Sequence, residues 1–482
     1  MTTPERRELA PGLEISRVLT GLWQIADLER QGPIDVDAAA AAMDAYAEAG
    51  FTTFDMADHY GSAEDIAGTC AARRQGDLQL VTKWTPEPGP HTPATVREAV
   101  GRSLDRLRAD AIDLLQFHAW RYPDPSWLDC LFALQELKDE GLIRHLGLTN
   151  FDAVHLDMVL NTGIEVVSNQ VSCSLLDGRA DGALTEVCRK HGVHLLAYGT
   201  LAGGLLTERW LGAADPGPEG VKTWSEMKYR RFVEAAGGWD RLQALLAAIR
   251  SVAEKHGVSM ANVAARAVLD RPAVAGVIIG ARLGRSEHIA DNRRLASLRL
   301  DAEDRGRLAA ASGALEPIPG DCGDEYRRPP YLTAAGDLSH HLGESPSPYP
   351  VRAGVGGRMR ADSGTVWEEA AGFSRAVRIG EHIAVSGTTA THGDRLIGGD
   401  DPAAQTHFVI DKIEGAIEAL GGALEDVYRT RIFIPDLAHW EPVARAHGQR
   451  FGAIRPANTL VQAGLIGSGY LVEIEAEARV GS

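Results

Sequence analysis

The chain is short of the features that mark several protein classes. Its five cysteines, Cys70, Cys130, Cys173, Cys188 and Cys322, are scattered and form no C-x-x-C pair. That argues against a disulfide framework or a zinc site, and no metal is expected. Positive charge is not in excess: 49 Lys and Arg stand against 66 Asp and Glu, a net −17. Nucleic acid and anionic membrane surfaces are therefore poor candidates for the main partner, although a locally basic pocket stays compatible with that total. No uninterrupted apolar run is long enough to span a bilayer. The opening "MTTPERRELAPGLEIS" lacks the apolar core of a signal peptide, so a cytoplasmic protein is the expectation. No G-x-G-x-x-G follows the first candidate strand, which weakens the case for an open doubly wound sheet.

What the chain does have is length and alternation. At 482 residues it exceeds one typical core, so two domains are expected. From about residue 15 to 300, eight short β-rich runs alternate with amphipathic stretches: "SRVLTGLW", "FTTFDMAD", "LQLVTKW", "IDLLQFHA", "RHLGLTN", "EVVSNQV", "VHLLAYGT" and "AGVIIGA". In one of the stretches between them, Val96, Val100, Leu104 and Leu107 recur at helical spacing. Eight such alternations are what a (β/α)8 barrel requires, and residues 1–314 are assigned to one. Residues 315–362 are rich in Pro, Gly and Ser and read as a linker, or as a strap over the barrel carrying Tyr326, Arg327 and Arg328. The His340–His341 pair within them has no companions at metal-binding spacing and is given no ligand role. Residues 363–482 change pattern to strands and two helices in an α+β order, a smaller domain with helices on one face of a mixed sheet.

The first domain carries a chemical constellation. Asp55 ends the second candidate strand, Tyr60 lies in its loop, Lys83 ends the third strand and His118 the fourth. In a barrel of this kind, residues just past the C-terminal strand ends converge on one mouth. Each residue alone has a plain structural explanation: a cap, a packing ring, a satisfied histidine. Together they suit acid-base work on a carbonyl. A phenol titrates near 10 when unperturbed. A neighbouring Lys83 ammonium is expected to favour the phenolate and lower that value, with Asp55 keeping the lysine charged. His118 is expected to hydrogen-bond the substrate oxygen.

These segments, with "LGLTNF", "SNQVSCSLL", "AYGTLAGGLL" and "VIIGARLGRSEHIADN", resemble the aldo-keto reductase family over residues 15 to about 310. The resemblance implies a TIM barrel and a catalytic tetrad of Asp55, Tyr60, Lys83 and His118. Thr149, Asn150 and Gln170 would hold a nicotinamide carboxamide, and Tyr198 would stack on its ring. Leu201 and Gly203 would border the pyrophosphate. Arg282, Arg285, Ser286 and His288 would meet an adenosine 2′-phosphate, with Asp291 and Asn292 near adenine. NADPH is favoured over NADH, and Trp23 and Trp84 are expected to wall a pocket for a small carbonyl substrate.

Residues 363–482 resemble the Rid (YjgF/UK114) family, with its chorismate-mutase-like α+β fold, through "RAVRIGEHIAVSGTTA", "RTRIFIPDLAHW", "RPANTLVQAGL" and "LVEIEAEA". That implies a homotrimer with small-molecule clefts between subunits. Deaminating members carry an arginine, a carboxylate clamp, where this chain has Asn458; Glu473 matches an acid near the family's water site. Three readings follow. The leading one is a carbonyl reductase with a trimerising domain. The alternatives are a bifunctional imine/enamine deaminase and reductase, and a nicotinamide-sensing regulatory protein.

Overall fold

The computed structural model describes residues 3–74, 76–328 and 346–481; His340 and His341 lie outside them. Eight strands, β1 (Val18–Gly21), β2 (Thr53–Asp55), β3 (Gln79–Trp84), β4 (Ile112–Phe117), β5 (Ile143–Thr149), β6 (Val166–Ser172), β7 (His194–Tyr198) and β8 (Val274–Gly280), close into a barrel. Every neighbouring pair is parallel, and β8 closes on β1 through the register Val277↔Val18. All eight expected barrel strands are present. Parallel strands need a crossover long enough to hold a helix, which the amphipathic stretches supply. Helix Pro93–Leu107, for example, buries Val96, Val100 and Leu107, and its N-cap Thr92 accepts from Thr95 N.

The barrel has a floor and an open mouth. A hairpin, Arg6–Ala10 with Leu13–Ser16, seats Leu9, Leu13 and Ile15 against Leu19, Val81, Leu114 and Leu196 inside the strands. That plugs the N-terminal end with apolar side chains. The C-terminal strand ends stay free to present polar groups to a cavity.

The second region is a seven-stranded sheet with two helices on one face. Its strands are β9 (Val351–Ala353), β10 (Met359–Ala361), β11 (Ala376–Ile379), β12 (His382–Thr389), β13 (Val427–Ile434), β14 (Ala457–Gln462) and β15 (Glu473–Arg479). They run in the order β9-β10-β11-β12-β15-β13-β14, with only β13 and β14 parallel. Ile383, Val385, Ile432, Ile434, Ile474 and Ala476 are buried beneath helices Pro402–Ala419 and Trp440–Phe451. The other face keeps Tyr428, Arg431, Glu475 and Glu477 accessible. The Pro/Gly-rich stretch, where described, divides its service: β9 and β10 join this sheet, while residues 324–327 form a helical turn over the barrel mouth.

The two regions share a buried seam. Helix Pro402–Ala419 lies against helix Ala153–Asn161 of the barrel. His155, 4% exposed, holds Asp152 through Nδ1 at 2.7 Å and Asp411 through Nε2 at 3.0 Å. Arg450 takes Asp411 and Glu414, each at 2.6 Å, and Arg121 pairs with Glu418. Tyr122 stacks flat on the His155 ring at 3.3 Å. Close approach is built in at Gly415, where a Cβ would come within 2.3 Å of the Pro123 carbonyl oxygen.

Candidate active site

Strand alternation explains which side chains reach the barrel interior. In β3, Lys83 points inward, so its neighbour Trp84 points outward among Phe117 and His91 at the strand–helix layer. This corrects the expectation for Trp84, which is core and lines no part of the cavity at the mouth. Trp23 does line it, with its ring 4.9 Å from that of Tyr60.

Beneath the cavity lies a buried ion pair. Lys83 Nζ donates to both Asp55 oxygens and to the Met56 carbonyl, each at 2.8 Å. The two residues are 4% exposed. Asp55 also accepts from Gln170 Nε2 at 2.7 Å and Gln116 Nε2 at 3.4 Å, so its oxygens are well served with donors. A carboxylate at a strand end is costly only when it lacks such partners. Burial lowers the Lys83 pKa, and Asp55 opposes the fall without cancelling it.

Tyr60 sits directly above, with the Lys83 ammonium 5.0 Å from its ring centroid. Its pKa is well above 10, raised by burial first and then by the Asp55 and Asp58 charges. The expected depression by Lys83 does not prevail, because removal from water penalises the phenolate more than the lysine favours it. Tyr60 therefore stands loaded with its proton.

His118 completes the set. Its Nδ1 lies 3.3 Å from the Thr149 carbonyl oxygen, which can only accept, so the ring proton is on Nδ1. Burial, aided by Arg327, holds the imidazole pKa well below 6.5. The neutral ring turns toward the cavity a buried Nε2 lone pair that has no partner among the described residues. In this tautomer Nε2 accepts a hydrogen bond, so the expected donation to a bare carbonyl oxygen is not what the ring offers.

Asp55, Tyr60, Lys83 and His118 all line one cavity of about 980 Å³, which also meets most of the residues expected to hold a cofactor. Thr149, Asn150, Gln170, Tyr198, Leu201 and Gly203 line it. Farther along, Arg282, Ser286, His288, Asp291 and Asn292 do the same. Arg285 is not on the lining and donates to Gln31 Oε1 at 2.8 Å. Asn150 has φ +61°, a left-handed conformation that asparagine tolerates better than most residues. Its Oδ1 accepts from the Tyr198 hydroxyl at 2.7 Å.

Several mouth residues had no site role assigned from the sequence. Tyr326, carried by the turn Asp324–Arg327, has its ring 5.7 Å from that of His118 and bonds Lys228. Arg327 anchors the turn by donating to Asn150 O at 2.6 Å and Ala119 O at 2.9 Å. Glu325 is fully buried, and Arg179 and Lys228 hold its carboxyl at about 2 against the upward pull of burial. Tyr326 and Arg327 entered the sequence reading only through the strap alternative for the Pro/Gly-rich stretch, with no role in the site, and Lys228 gave no signal at all. In the second region Asn458 and Glu473 are not brought together. Asn458 donates to Thr430 Oγ1 at 2.9 Å, whereas Glu473 stands opposite Phe433, three residues farther along β13.

A family model described as Aldo/keto reductase family matches residues 17–312, which is more than half of the chain. The chain belongs to the aldo/keto reductase family. A second model, Endoribonuclease L-PSP, matches residues 366–480 and marks the Rid/YjgF-type region. The uncharacterized oxidoreductase YqkF of Bacillus subtilis is 30% identical over 279 residues, covering 55% of this chain and 84% of its own. An uncharacterized protein of Streptomyces coelicolor is 42% identical over 124 residues, 26% of this chain and 92% of its own. The NADH-specific methylglyoxal reductase of Escherichia coli is 36% identical over 135 residues, 27% of this chain but only 39% of its own length. Among solved structures, the glycerol dehydrogenase of Gluconobacter oxydans superposes with a TM-score of 0.53 at 25% identity, covering 64% of this chain and 95% of its own. The aldo/keto reductase barrel is thus one part of a two-region chain of oxidoreductase type.

Proposed function

We propose that the barrel reduces an aldehyde or ketone to an alcohol, with a nicotinamide dinucleotide as hydride source and Tyr60 as general acid. The observation that carries this is the buried Lys83–Asp55 pair lying directly under a protonated Tyr60 at a cavity mouth. The cavity fits such a cofactor: buried polar atoms without partners among the described residues, His118 Nε2 and Thr200 Oγ1, face a groove with Arg282 at its far end. The bound cofactor would supply hydride to the carbonyl carbon. Tyr60 would donate its proton to the carbonyl oxygen as negative charge develops there, and the Lys83 charge below would ease the phenolate left behind. Asp55, Gln170 and Gln116 keep Lys83 fixed for that task.

Arg282 beside Ser286 and His288 supports NADPH over NADH, since a guanidinium recognises a phosphate bidentately. The deciding experiment is Tyr60→Phe. Loss of turnover on a carbonyl panel with retained NADPH fluorescence enhancement supports the reading. Wild-type protein that binds NADPH and turns over no carbonyl favours a nicotinamide-sensing regulatory protein instead.

For the second region, an assembly role is the reading carried forward, as a trimer through its uncovered sheet face. Ile379, Tyr428 and Val461 are exposed there or at its margin at 51%, 44% and 44%. Mass measurement of the assembly tests it, and a monomer would remove it. Processing of an imine or enamine is the weaker alternative. Burial raises the Glu473 pKa, as suits a proton carrier, but Asn458 supplies no carboxylate clamp. Glu473→Gln should then slow conversion of an imine precursor more than that of a simple aldehyde.

A further inference from the structure

Strands β4 and β5 lose their ladder just where the polar site begins. Their last paired residues are Phe117 and Leu148. Past them each backbone turns to its other neighbour: His118 N–H donates to Trp84 O at 3.3 Å, and Asn150 N–H to Gln170 O at 2.8 Å. Two side chains bridge the gap instead. His118 Nδ1 donates to Thr149 O. One step farther out, the Arg327 guanidinium donates through Nε to Ala119 O at 2.9 Å and through Nη1 to Asn150 O at 2.6 Å. It thus joins the residue after His118 to the residue after Thr149, from a turn 177 residues beyond Asn150. Asn150 holds φ +61°, a conformation that persists only where the surroundings fix it, and its carbonyl is what Nη1 grips.

We infer that Arg327 is a positioning residue of the barrel site: by gripping both carbonyls it sets the spacing of His118 and Asn150, and with it the His118 tautomer. Arg327 is not on the cavity lining, so it acts through these two residues. Its fork is fixed on one side by stacking, with the guanidinium carbon 4.3 Å from the Tyr122 ring centroid and Tyr122 flat on His155. Gly323 leaves room for the grip, since a Cβ there would lie 2.0 Å from Asn150 O and 2.2 Å from Arg327 Nη1. The turn Asp324–Arg327 has a separate anchor in the Arg179–Glu325 pair at 2.8 Å, so holding the turn does not by itself require the guanidinium. A planar guanidinium presents two donors in a fixed fork, and hydrogen bonds from a charged donor are the strong ones. A lysine ammonium is a single point on a flexible stem and does not reproduce that geometry. If the strand ends part, the bond from His118 Nδ1 to Thr149 O weakens, and the ring proton is no longer confined to Nδ1.

The catalytic consequence rests on the reductase reading, and the test separates the two. The full-length protein is compared as wild type, Arg327→Met and Arg327→Lys; the lysine variant keeps charge and bulk should the methionine variant fail to fold. Nitrogen-15 spectra of histidine-labelled protein without cofactor report the His118 tautomer, its signal assigned by loss in His118→Asn. The wild type should show the proton on Nδ1, and both variants a mixture of tautomers. The NADPH dissociation constant, from fluorescence titration, should rise about tenfold in both. With a simple aldehyde such as 4-nitrobenzaldehyde, kcat should fall about tenfold or more while KM changes by less than about twofold, as for a misplaced group rather than a lost contact. An Nδ1 proton retained in both variants overturns the inference, whatever the kinetics. So does wild-type behaviour in Arg327→Lys, which would leave charge alone as the requirement. If Arg327 served only to fasten the turn, KM would rise alone, with kcat, NADPH affinity and tautomer unchanged. If the wild type turns over no carbonyl, the reductase reading fails, and the tautomer and NADPH affinity decide the positioning role by themselves.

Discussion

Replacing His155 with glutamine removes the imidazole that bridges Asp152 and Asp411 at the seam of the two regions. The native imidazole loses affinity for its proton through burial, but the two carboxylates outweigh that loss and raise its pKa above 6.5. Both carboxyls move the opposite way: burial raises them, yet His155 and, for Asp411, Arg450 hold them below 3.8. A group whose folded pKa is raised binds its proton more tightly when folded. Its stabilisation is complete below about 6.5, the unfolded value, and is lost as pH rises through the folded one. Removing one member of a buried charge set costs about 3–5 kcal/mol, because the remaining charges stay buried without compensation. Asp411 keeps Arg450 at 2.6 Å, and Asp152 keeps the backbone N–H of residue 155, so the lower end of that range is expected. For a region of this size that corresponds to a fall on the order of 10 °C in melting temperature. Circular dichroism melts of wild type and His155→Gln at pH 6 and pH 9 measure it. The difference between the two proteins should be large at pH 6 and smaller at pH 9. A variant that melts with the wild type at pH 6, or a difference that grows with pH, refutes the reasoning.

Three further outcomes are expected. Lys83→Met leaves Asp55 buried on two amide donors alone; it should abolish carbonyl turnover and destabilise the barrel by about 3 kcal/mol, read by urea denaturation. Arg282→Ala should weaken NADPH binding about tenfold or more and leave NADH binding nearly unchanged, measured by fluorescence titration. Gly323→Ala should unseat the turn that carries Tyr326. At φ +88° an added Cβ would lie 2.0 Å from the Asn150 carbonyl oxygen, so KM should rise while the barrel melt changes little.

The parts of the molecule that were legible share one property: their signals are local and periodic. Eight β-rich runs at regular spacing gave the barrel, and the strand-end positions of Asp55, Lys83 and His118 gave the site, because a parallel barrel maps sequence period directly onto geometry. Trp84 misled because a one-residue step along a strand reverses its face, and adjacency to Lys83 concealed that. Tyr60 misled electrostatically, since proximity to a cation is visible in sequence but the cost of burial is not. The seam was invisible for a different reason. His155 and Asp411 are 256 residues apart, and each sits on a helix whose apolar pattern is already satisfied by its own domain.

Helix Pro402–Ala419 buries Phe408, Ile410, Ile413 and Ile417 as well as Gln405, Thr406, His407 and Asp411, having its own sheet on one side and the barrel on the other. A domain joined by a tether can be exchanged, shortened or moved without chemical consequence for its neighbour. Here Asp411, Gly415 and Glu418 of one helix line a joint, so cutting the chain at residue 363 would leave a carboxylate and a histidine on facing surfaces that were never made to meet water. The two regions are separate in ancestry of pattern and inseparable as solids: a substitution on either side of that helix is a substitution in both.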